Sequence, residues 1–423
     1  MSLIFARVIY AINWFNFSSV FYFIVVDIKG DISMLGIITA GFLIGIGIFQ
    51  IPAGILAAKY DPKKLAFSGL MILSIASLLC GMATDLFQMV ILRCIVGVGM
   101  AFFFGPSVVL ISTYLGKGSD GLGIGILNSA HSLGGLVGLF GWILIAQIIG
   151  WRISLIISGM LGIISGLFLF YLLRQKGISS DQENHGYKYR YSWHVLLSNP
   201  LKHSFSLQNH KKHKKTQSVF KIKLSDLRMV LINKSMITMG LSLLGVQIGW
   251  NLVSTFIVLY LKNDLHSNPS FAGLVGGIAM IFNVIFAPIF GIIYDRTTKR
   301  SHSNQGIILL IVCGLIVSFS LAFFSLENIY VIVFSIISIG IFISGGFVVP
   351  YSKAREMTTL KLGQGCYETL SVSFINGLSL FGACWVPFVF SIIVKYFGYS
   401  IAWLIGGLIT LIFILPAVKL IGR

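Results

Sequence analysis

The sequence contains little charge, and this shortage argues against an ordinary soluble fold. Only 10% of the 423 residues are Asp, Glu, Lys or Arg and 56% are hydrophobic, with a mean hydropathy of +0.92. Uncharged runs such as 36–58 and 328–352 exceed the ~20 residues that a helix needs to cross a ~30 Å hydrocarbon core. Since helices satisfy their own backbone hydrogen bonds in lipid, we predict an all-α polytopic membrane protein.

Cysteine and catalytic motifs are also scarce. The five cysteines form no CxxC pair, so neither a disulfide framework nor a zinc site is indicated, and small buried side chains are expected instead. The sequence has no Ser/His/Asp set, no paired carboxylates and no phosphate-binding loop. We therefore predict neither an enzyme nor an ATP-driven pump, and no metal or cofactor.

Acidic residues are few, with 13 Asp and Glu against 31 Lys and Arg. A net charge of +18 would suggest nucleic acid in a soluble protein, but here its distribution predicts topology. With the N-terminus inside, 26 basic residues lie on the inner side and four outside, so both termini are predicted to be cytoplasmic, in the cell membrane, with no nucleic-acid partner. The twelve predicted spans are 5–27, 35–57, 65–83, 87–114, 121–149, 153–173, 236–261, 270–294, 305–325, 328–350, 366–394 and 399–418.

The spans divide into two halves joined by a basic segment. We predict an N-terminal six-helix bundle over 1–173, a basic cytoplasmic linker over 174–235 and a C-terminal six-helix bundle over 236–423. The linker carries 13 Lys and Arg and the run KKHKK at 211–215. It is either a solvated segment attracted to an anionic inner leaflet, or a regulatory or metal-binding element using His210 and His213.

The two halves repeat each other. Gly54 and Gly291 each follow closely on a proline at the end of a span. Gly150 and Gly398 each stand just before the start of a span. Internal repetition is typical of secondary transporters, whose substrate site lies between the repeats near the midplane.

At these residues the sequence resembles the major facilitator superfamily. That family carries G-x-x-x-D-R/K-x-G-x-R/K-R/K after spans two and eight. The second copy retains Gly291, Asp295, Arg296 and Arg300. The first copy retains Gly54, Lys59, Lys63 and Lys64.

Two more motifs support the resemblance, which covers the whole chain. Residues 93–101 match the pattern R-x-x-x-G-x-G-x-A, which the family associates with proton coupling, and Gly-Trp-Arg stands at 150–152. The resemblance implies two pseudo-symmetric six-helix bundles, a secondary transporter with alternating access, and gating roles for the loop residues.

The sequence departs from the family at two places. Ala58 replaces the acidic residue of the first loop, which in the family helps to hold the cytoplasmic gate closed. Such a contact would here be weaker or would be built from Asp295 and its neighbours. Ala130 and His131 stand where the antiporter motif of span five has Gly-Pro, which makes drug efflux less favoured.

Ionisable residues inside spans are candidates for the transport path or for coupling, because burying them is costly. Arg93 is either a fixed charge beside the path or a structural lock on backbone carbonyls. His131 is either a carrier of the coupling proton, since imidazole titrates near neutral pH, or a packing residue. Glu368 is either an interface residue or part of a proton path.

Neutral polar residues form a second set of candidates, for the substrate cavity. Asn13 and Asn16 share a face of span one, and Gln247 and Asn251 share a face of span seven. Asn128, Asn283 and Asn376 add possible contacts, and interhelical hydrogen bonding is the structural alternative for all of them.

The sequence therefore predicts a secondary active transporter, acting as a monomer in the bilayer, for proton-coupled uptake of a small anionic or polar metabolite. One alternative is proton-antiport efflux of amphiphilic compounds, consistent with 34 Phe. A second is a transporter-like sensor or lipid-handling protein in which the basic linker binds a partner.

Overall fold

The computed structural model describes residues 2–27, 31–115, 119–175, 224–299, 303–362 and 366–421, and regular structure in these ranges is helical. In the N-terminal half the helices are α1 Ser2–Asp27, α2 Ile32–Lys59, α3 Pro62–Cys80, α4 Leu86–Leu115, α5 Asp120–Leu136, α6 Trp142–Ile149 and α7 Trp151–Gln175. A π-helical turn, Val137–Gly141, joins α5 to α6. After the short α8, Leu224–Leu231, follow α9 Lys234–Asn263, α10 Pro269–Lys299, α11 Ser303–Ala322, α12 Ile329–Leu362, α13 Cys366–Ala383 and α14 Val386–Ile414.

The helices of the described residues account for twelve membrane crossings. Eleven described segments are long and apolar enough to cross a membrane, and the last of them, Tyr367–Leu420, is 54 residues long. That segment bends at Gly398, where the backbone φ is 81°, and its length corresponds to two crossings. The predicted fold class, a twelve-helix polytopic protein, is confirmed.

The sequence repeat is visible in the backbone. Gly150 and Gly398 both adopt positive φ, at 84° and 81°, in the tight connections before the sixth and the twelfth crossing. This left-handed conformation is open to glycine without strain. The two halves thus turn in the same way at the positions that the sequence pairs.

The two bundles, α1–α7 and α9–α14, meet along α5 with α10 and along α2 with α13. Glycines allow the closest approach: a Cβ added to Gly121 of α5 would lie 2.6 Å from the carbonyl oxygen of Gly291 of α10. We call the end of the bundles where α2 meets α3 the signature end, and the end where α1 meets α2 the opposite end.

Most of the predicted linker lies outside the described residues, including His210, His213 and KKHKK. Its described part contains α8, which rests at the signature end. Val230 of α8 packs with Tyr367 and Leu370 of α13 and with Ile55 of α2, so α8 contacts both bundles.

Candidate functional site: a cavity between the bundles

A polar and aromatic cavity lies between the two bundles, with about 480 Å³ of empty space including its mouth. Its walls come from α1, α4 and α5 of the N-terminal bundle and from α9, α10, α12 and α13 of the C-terminal one. The lining residues are Arg7, Tyr10, Trp14, Phe104, Asn128, His131, Ser132, Gln247, Trp250, Asn283, Phe347, Tyr351, Asn376 and Leu380.

Arg7 is the one permanently charged side chain among the described residues that line the cavity. It is 4% exposed, and its guanidinium carbon lies 4.3 Å from the ring centroid of Tyr10 and 5.0 Å from that of Phe104. Within the described part of the chain, its Nε and Nη1 have no hydrogen-bond partner. A buried cation with free N–H groups, facing a cavity, is suited to binding an anion.

Sequence reasoning missed Arg7, counting it only as an inner-side charge. The available signal was its position about 8 Å inside α1, at 1.5 Å per residue from Ser2. Arg7, Tyr10 and Trp14 also share one helical face at spacings of three and seven residues. The structure places that face on the cavity.

His131 lies in the cavity, within a cluster of aromatic rings. Its ring centroid is 5.9 Å from that of Tyr10, 5.6 Å from Trp14 and 5.2 Å from Phe15. Its Nδ1 has no hydrogen-bond partner in the described ranges. His131 and Arg7 thus both contact Tyr10 and line the same space.

Four of the predicted amide residues line the cavity, namely Asn128, Gln247, Asn283 and Asn376. The hydroxyl of Tyr351 donates to Oδ1 of Asn376 at 2.6 Å. Nδ2 of Asn128 and Oδ1 of Asn283 have no partner among the described residues. The cavity therefore offers at least one free donor and one free acceptor beside Arg7.

The other predicted amides are buried away from the lining. Asn13 donates to the carbonyl oxygens of Ile9 at 3.0 Å and Ser158 at 3.3 Å. Asn16 donates to Oγ of Ser158 at 2.8 Å, so both residues tie α1 to α7. Asn251 is 2% exposed and is not among the residues that line the cavity.

Arg93 lies outside the cavity and bonds to α1. Its Nη1 donates to the carbonyl oxygen of Asn13 at 3.1 Å and its Nη2 to that of Trp14 at 3.5 Å. Its guanidinium carbon is 4.8 Å from the ring centroid of Phe17 and 4.6 Å from that of Phe42. This geometry fits the structural alternative for Arg93, because its guanidinium donates to backbone carbonyls of α1 and packs against two aromatic rings.

Glu368 is part of an ion-pair group at the signature end. Arg355 of α12 pairs with Glu368 of α13 at 2.5 Å and with Asp120 of α5 at 2.7 Å. The second pair crosses between the bundles. Glu368 thus lies in a buried ion pair at the helix ends and does not line the cavity.

The second signature loop also joins the bundles. The carboxylate of Asp295 on α10 accepts hydrogen bonds from the backbone N–H groups of Gly121 at 2.9 Å and Leu122 at 3.0 Å. These groups belong to the first turn of α5, where free N–H groups and the helix dipole favour an anion. Arg296 is exposed, and Arg300 lies outside the described residues.

The first signature loop has a different arrangement. A Cβ added to Gly54 would lie 2.7 Å from Cβ of Ser373 on α13, which makes this a close helix contact. Asp61 caps its own helix α3 by accepting from the N–H of Lys63 at 2.9 Å. Lys64 is exposed, and Lys59 ends α2.

Polar contacts between the bundles are present at the opposite end too. Lys395 pairs with Asp31 at 2.8 Å, with both side chains about half exposed. Hydrogen bonds from Lys395 and Ser33 lower the pKa of Asp31 to about 2. Ser270 of α10 also bonds to Gln147 of α6 at 3.3 Å. The cavity is therefore bounded by contacts between bundles at both ends.

Comparison with known proteins places this fold and cavity in a family. The sequence profile described as Major Facilitator Superfamily matches residues 3–352 and 239–423. Over 127 residues the chain is 28% identical to the "Probable sulfoacetate transporter SauU" of Cupriavidus necator, covering 30% of each protein. Over 156 residues it is 24% identical to the "Hexuronate transporter" of Bacillus subtilis, covering 36% of each.

The chain thus matches about a third of the length of these curated relatives. The whole fold is similar to the crystal structure of a mutant of the nucleoside transporter NupG, with a TM-score of 0.65 over 99% of both chains at 13% identity. Such a low identity supports the fold alone. Since the profile spans nearly the entire sequence, the chain belongs to the Major Facilitator Superfamily.

Proposed function

We propose that this protein is a secondary active transporter that takes up a small anionic or polar metabolite together with protons. The observation that carries the proposal is the buried guanidinium of Arg7, facing a cavity to which both bundles contribute. A buried charge without a partner is unfavourable, and a bound anion supplies one. The names of two relatives, a sulfoacetate and a hexuronate transporter, support an anionic solute.

Alternating access follows from the contacts that bound the cavity. The Asp295 cap on α5 and the Arg355–Asp120 pair would hold the signature end closed, and the Asp31–Lys395 pair would hold the opposite end closed. Rocking of the two bundles would break one set while the other forms. By the distribution of Lys and Arg, the proposed orientation has the signature end and both termini in the cytoplasm. The protein is proposed to act as a monomer in the cell membrane.

His131 is the proposed carrier of the coupling proton. Among the described lining residues it is the one whose side chain ordinarily titrates near neutral pH. Its place beside Tyr10, which also contacts Arg7, puts the proton and the anion in one cavity. Proton and anion would then travel together, with their charges partly offset.

Efflux of amphiphilic compounds remains the second candidate because aromatic side chains form much of the lining. A cavity that holds Arg7, and has no Asp or Glu among its described lining residues, disfavours the cationic ligands that such exporters take. The sensor alternative depends on residues 179–220, which lie outside the described ranges.

The proposal is tested with purified protein in liposomes that contain a pH-sensitive dye. An inward proton gradient is imposed, and organic anions, sugars, amino acids and lipophilic cations are added separately outside. We expect an organic anion or polar metabolite to carry protons inward, with no signal in protein-free liposomes. Proton movement out of acid-loaded liposomes on addition of lipophilic cations alone would contradict uptake and favour efflux.

A further inference from the structure

We infer that the cavity binds a planar aromatic monocarboxylate with a polar ring substituent such as a hydroxyl, and that Arg7 holds its carboxylate. This inference rests on the proposed transport function and narrows its substrate class. It is carried by three properties of the lining, namely its charge, its walls and its free amide atoms.

The charge of the lining selects an anion of one charge. Arg7 supplies a single permanent positive charge, and no described lining residue is Asp, Glu or Lys. With His131 neutral, a carboxylate that accepts hydrogen bonds from the free Nε and Nη1 groups of Arg7 would leave the site neutral. In that protonation state a dianion would leave one negative charge buried without a partner, which is strongly unfavourable.

The walls of the cavity favour a ligand with a flat, apolar ring. Tyr10 and Phe104 lie directly against the guanidinium of Arg7. On the facing bundle, the rings of Phe347 and Tyr351 are nearly parallel, with an interplanar angle of 7° and centroids 6.4 Å apart. Aromatic surfaces of this kind gain the most from contact with another ring.

The free side-chain amide atoms of the lining favour a polar substituent on the ring of the ligand. Nδ2 of Asn128 is a donor and Oδ1 of Asn283 is an acceptor, and both lack partners among the described residues. Asn128 comes from the N-terminal bundle and Asn283 from the C-terminal one. A phenolic hydroxyl both accepts and donates, so it could satisfy both amides and bridge the bundles.

The test is isothermal titration of the purified full-length chain with four probes at pH 7. These are 4-hydroxybenzoate, the neutral benzamide, the dianion terephthalate and the non-planar cyclohexanecarboxylate. Because hydrogen bonds to charged groups are the stronger kind, we expect 4-hydroxybenzoate to bind about 10- to 100-fold more tightly than benzamide. Terephthalate and cyclohexanecarboxylate are both expected to bind more weakly than 4-hydroxybenzoate.

Two variants test whether Arg7 causes the preference for 4-hydroxybenzoate over benzamide. Arg7→Gln should lower the preference for 4-hydroxybenzoate over benzamide by about 10-fold, since the charge-assisted hydrogen bonds are lost while the contacts of the ring hydroxyl remain. Arg228→Gln removes an exposed arginine of α8 and should keep the wild-type preference. The comparison of probes on the wild-type chain stands even if a variant does not fold.

The failures of the two proposals are distinguishable. Wild-type protein that binds benzamide or terephthalate as tightly as 4-hydroxybenzoate would overturn the substrate class. The substrate class is also overturned if none of the four probes binds while the liposome assay shows uptake of a sugar or an amino acid, in which case transport itself stands. Liposomes that show no proton-linked flux of any solute would overturn the proposed function, and this inference with it.

Discussion

Two arginines in the N-terminal bundle are equally buried, yet they have different surroundings. Arg7 and Arg93 are each 4% exposed. Arg93 donates to two backbone carbonyls of α1 from its Nη groups and has only Nε unpaired. Arg7 instead faces a cavity with both Nε and Nη1 free in the described part of the structure. Burial of a charge alone therefore does not identify a functional residue; the partners of the charge do.

One of these arginines also supports the other. Arg93 bonds to the backbone of Asn13 and Trp14, and Trp14 lines the cavity on the same face of α1 as Arg7. Arg93 thereby fixes the helix that presents Arg7. We describe Arg93 as a positioning residue and Arg7 as the proposed binding residue.

The largest expected effect is a loss of transport in the Arg7→Gln variant, which tests the contrast between the two arginines. We expect uptake of the anionic substrate to fall to background, a loss of about 100-fold, because hydrogen bonds to a buried charge disappear. The midpoint of thermal unfolding should change little, since the cost of burying unpaired N–H groups offsets the contacts of the guanidinium with the rings of Tyr10 and Phe104. Flux in liposomes and thermal unfolding in detergent measure the two effects, and a wild-type flux would contradict the binding role.

Arg93→Gln should give the reverse pattern. Loss of the bonds to the carbonyls of Asn13 and Trp14 is expected to destabilise the folded protein by about 1–3 kcal/mol, measured by chemical unfolding. The dissociation constant of the substrate in the folded fraction should stay within about threefold of wild type, because the side chain lies outside the cavity. A variant with wild-type stability but abolished binding would place Arg93 in the transport path instead.

A smaller effect is expected at the signature end, where the two loops differ. Asp295 caps α5 across the bundle interface, while Asp61 caps its own helix. Asp295→Asn should shift the population toward the open signature end by about 1 kcal/mol. Spin labels at the exposed positions Tyr114 and Arg296 would report a longer distance in that variant.

Asp61→Asn is the matched control for this substitution. It removes the same charge from the first loop but breaks none of the described contacts between the bundles, so the label distances should stay at wild-type values. An equal shift in both variants would mean that loop charge in general, rather than the Asp295 cap, sets the equilibrium.

The smallest effect is expected at the opposite end. The pKa of Asp31 is lowered from 3.8 to about 2 by Lys395 and Ser33, so the stabilisation from this pair is present above pH 3.8 and lost as the pH falls toward 2. Asp31→Asn should leave the shape of the transport pH profile between about pH 5 and 8 unchanged. A shifted profile in uptake assays would show that this pair takes part in coupling.

Much of the fold was predictable from the sequence, because hydrophobic length and turn glycines act locally. The crossings follow from the length of apolar runs, and the paired bends at Gly150 and Gly398 follow from the repeat. The eleventh crossing was predicted as one span, but the helix breaks between α13 and α14 near Pro387. Proline there removes a backbone donor, and the sequence does not show whether the helix bends or stops.

The cavity was predictable only in part, because a sequence does not show which way a helix is rotated. His131, Gln247 and Asn376 line it, whereas Asn13 and Asn16 turn toward Ser158 of α7. The packing of α1 decides which of its polar faces meets the cavity. Arg7 was missed because its position near the chain start is equally consistent with an inner-side topological charge.

The most direct test of the contrast between the two arginines is the ratio of dissociation constants for benzamide and 4-hydroxybenzoate in Arg7→Gln and Arg93→Gln, measured side by side by titration. We predict a ratio near that of wild type in Arg93→Gln and a ratio about 10-fold smaller than that of wild type in Arg7→Gln, where only the contacts of the ring hydroxyl remain. A collapse in Arg93→Gln, with the ratio kept in Arg7→Gln, would contradict the assignment and exchange the roles of the two arginines.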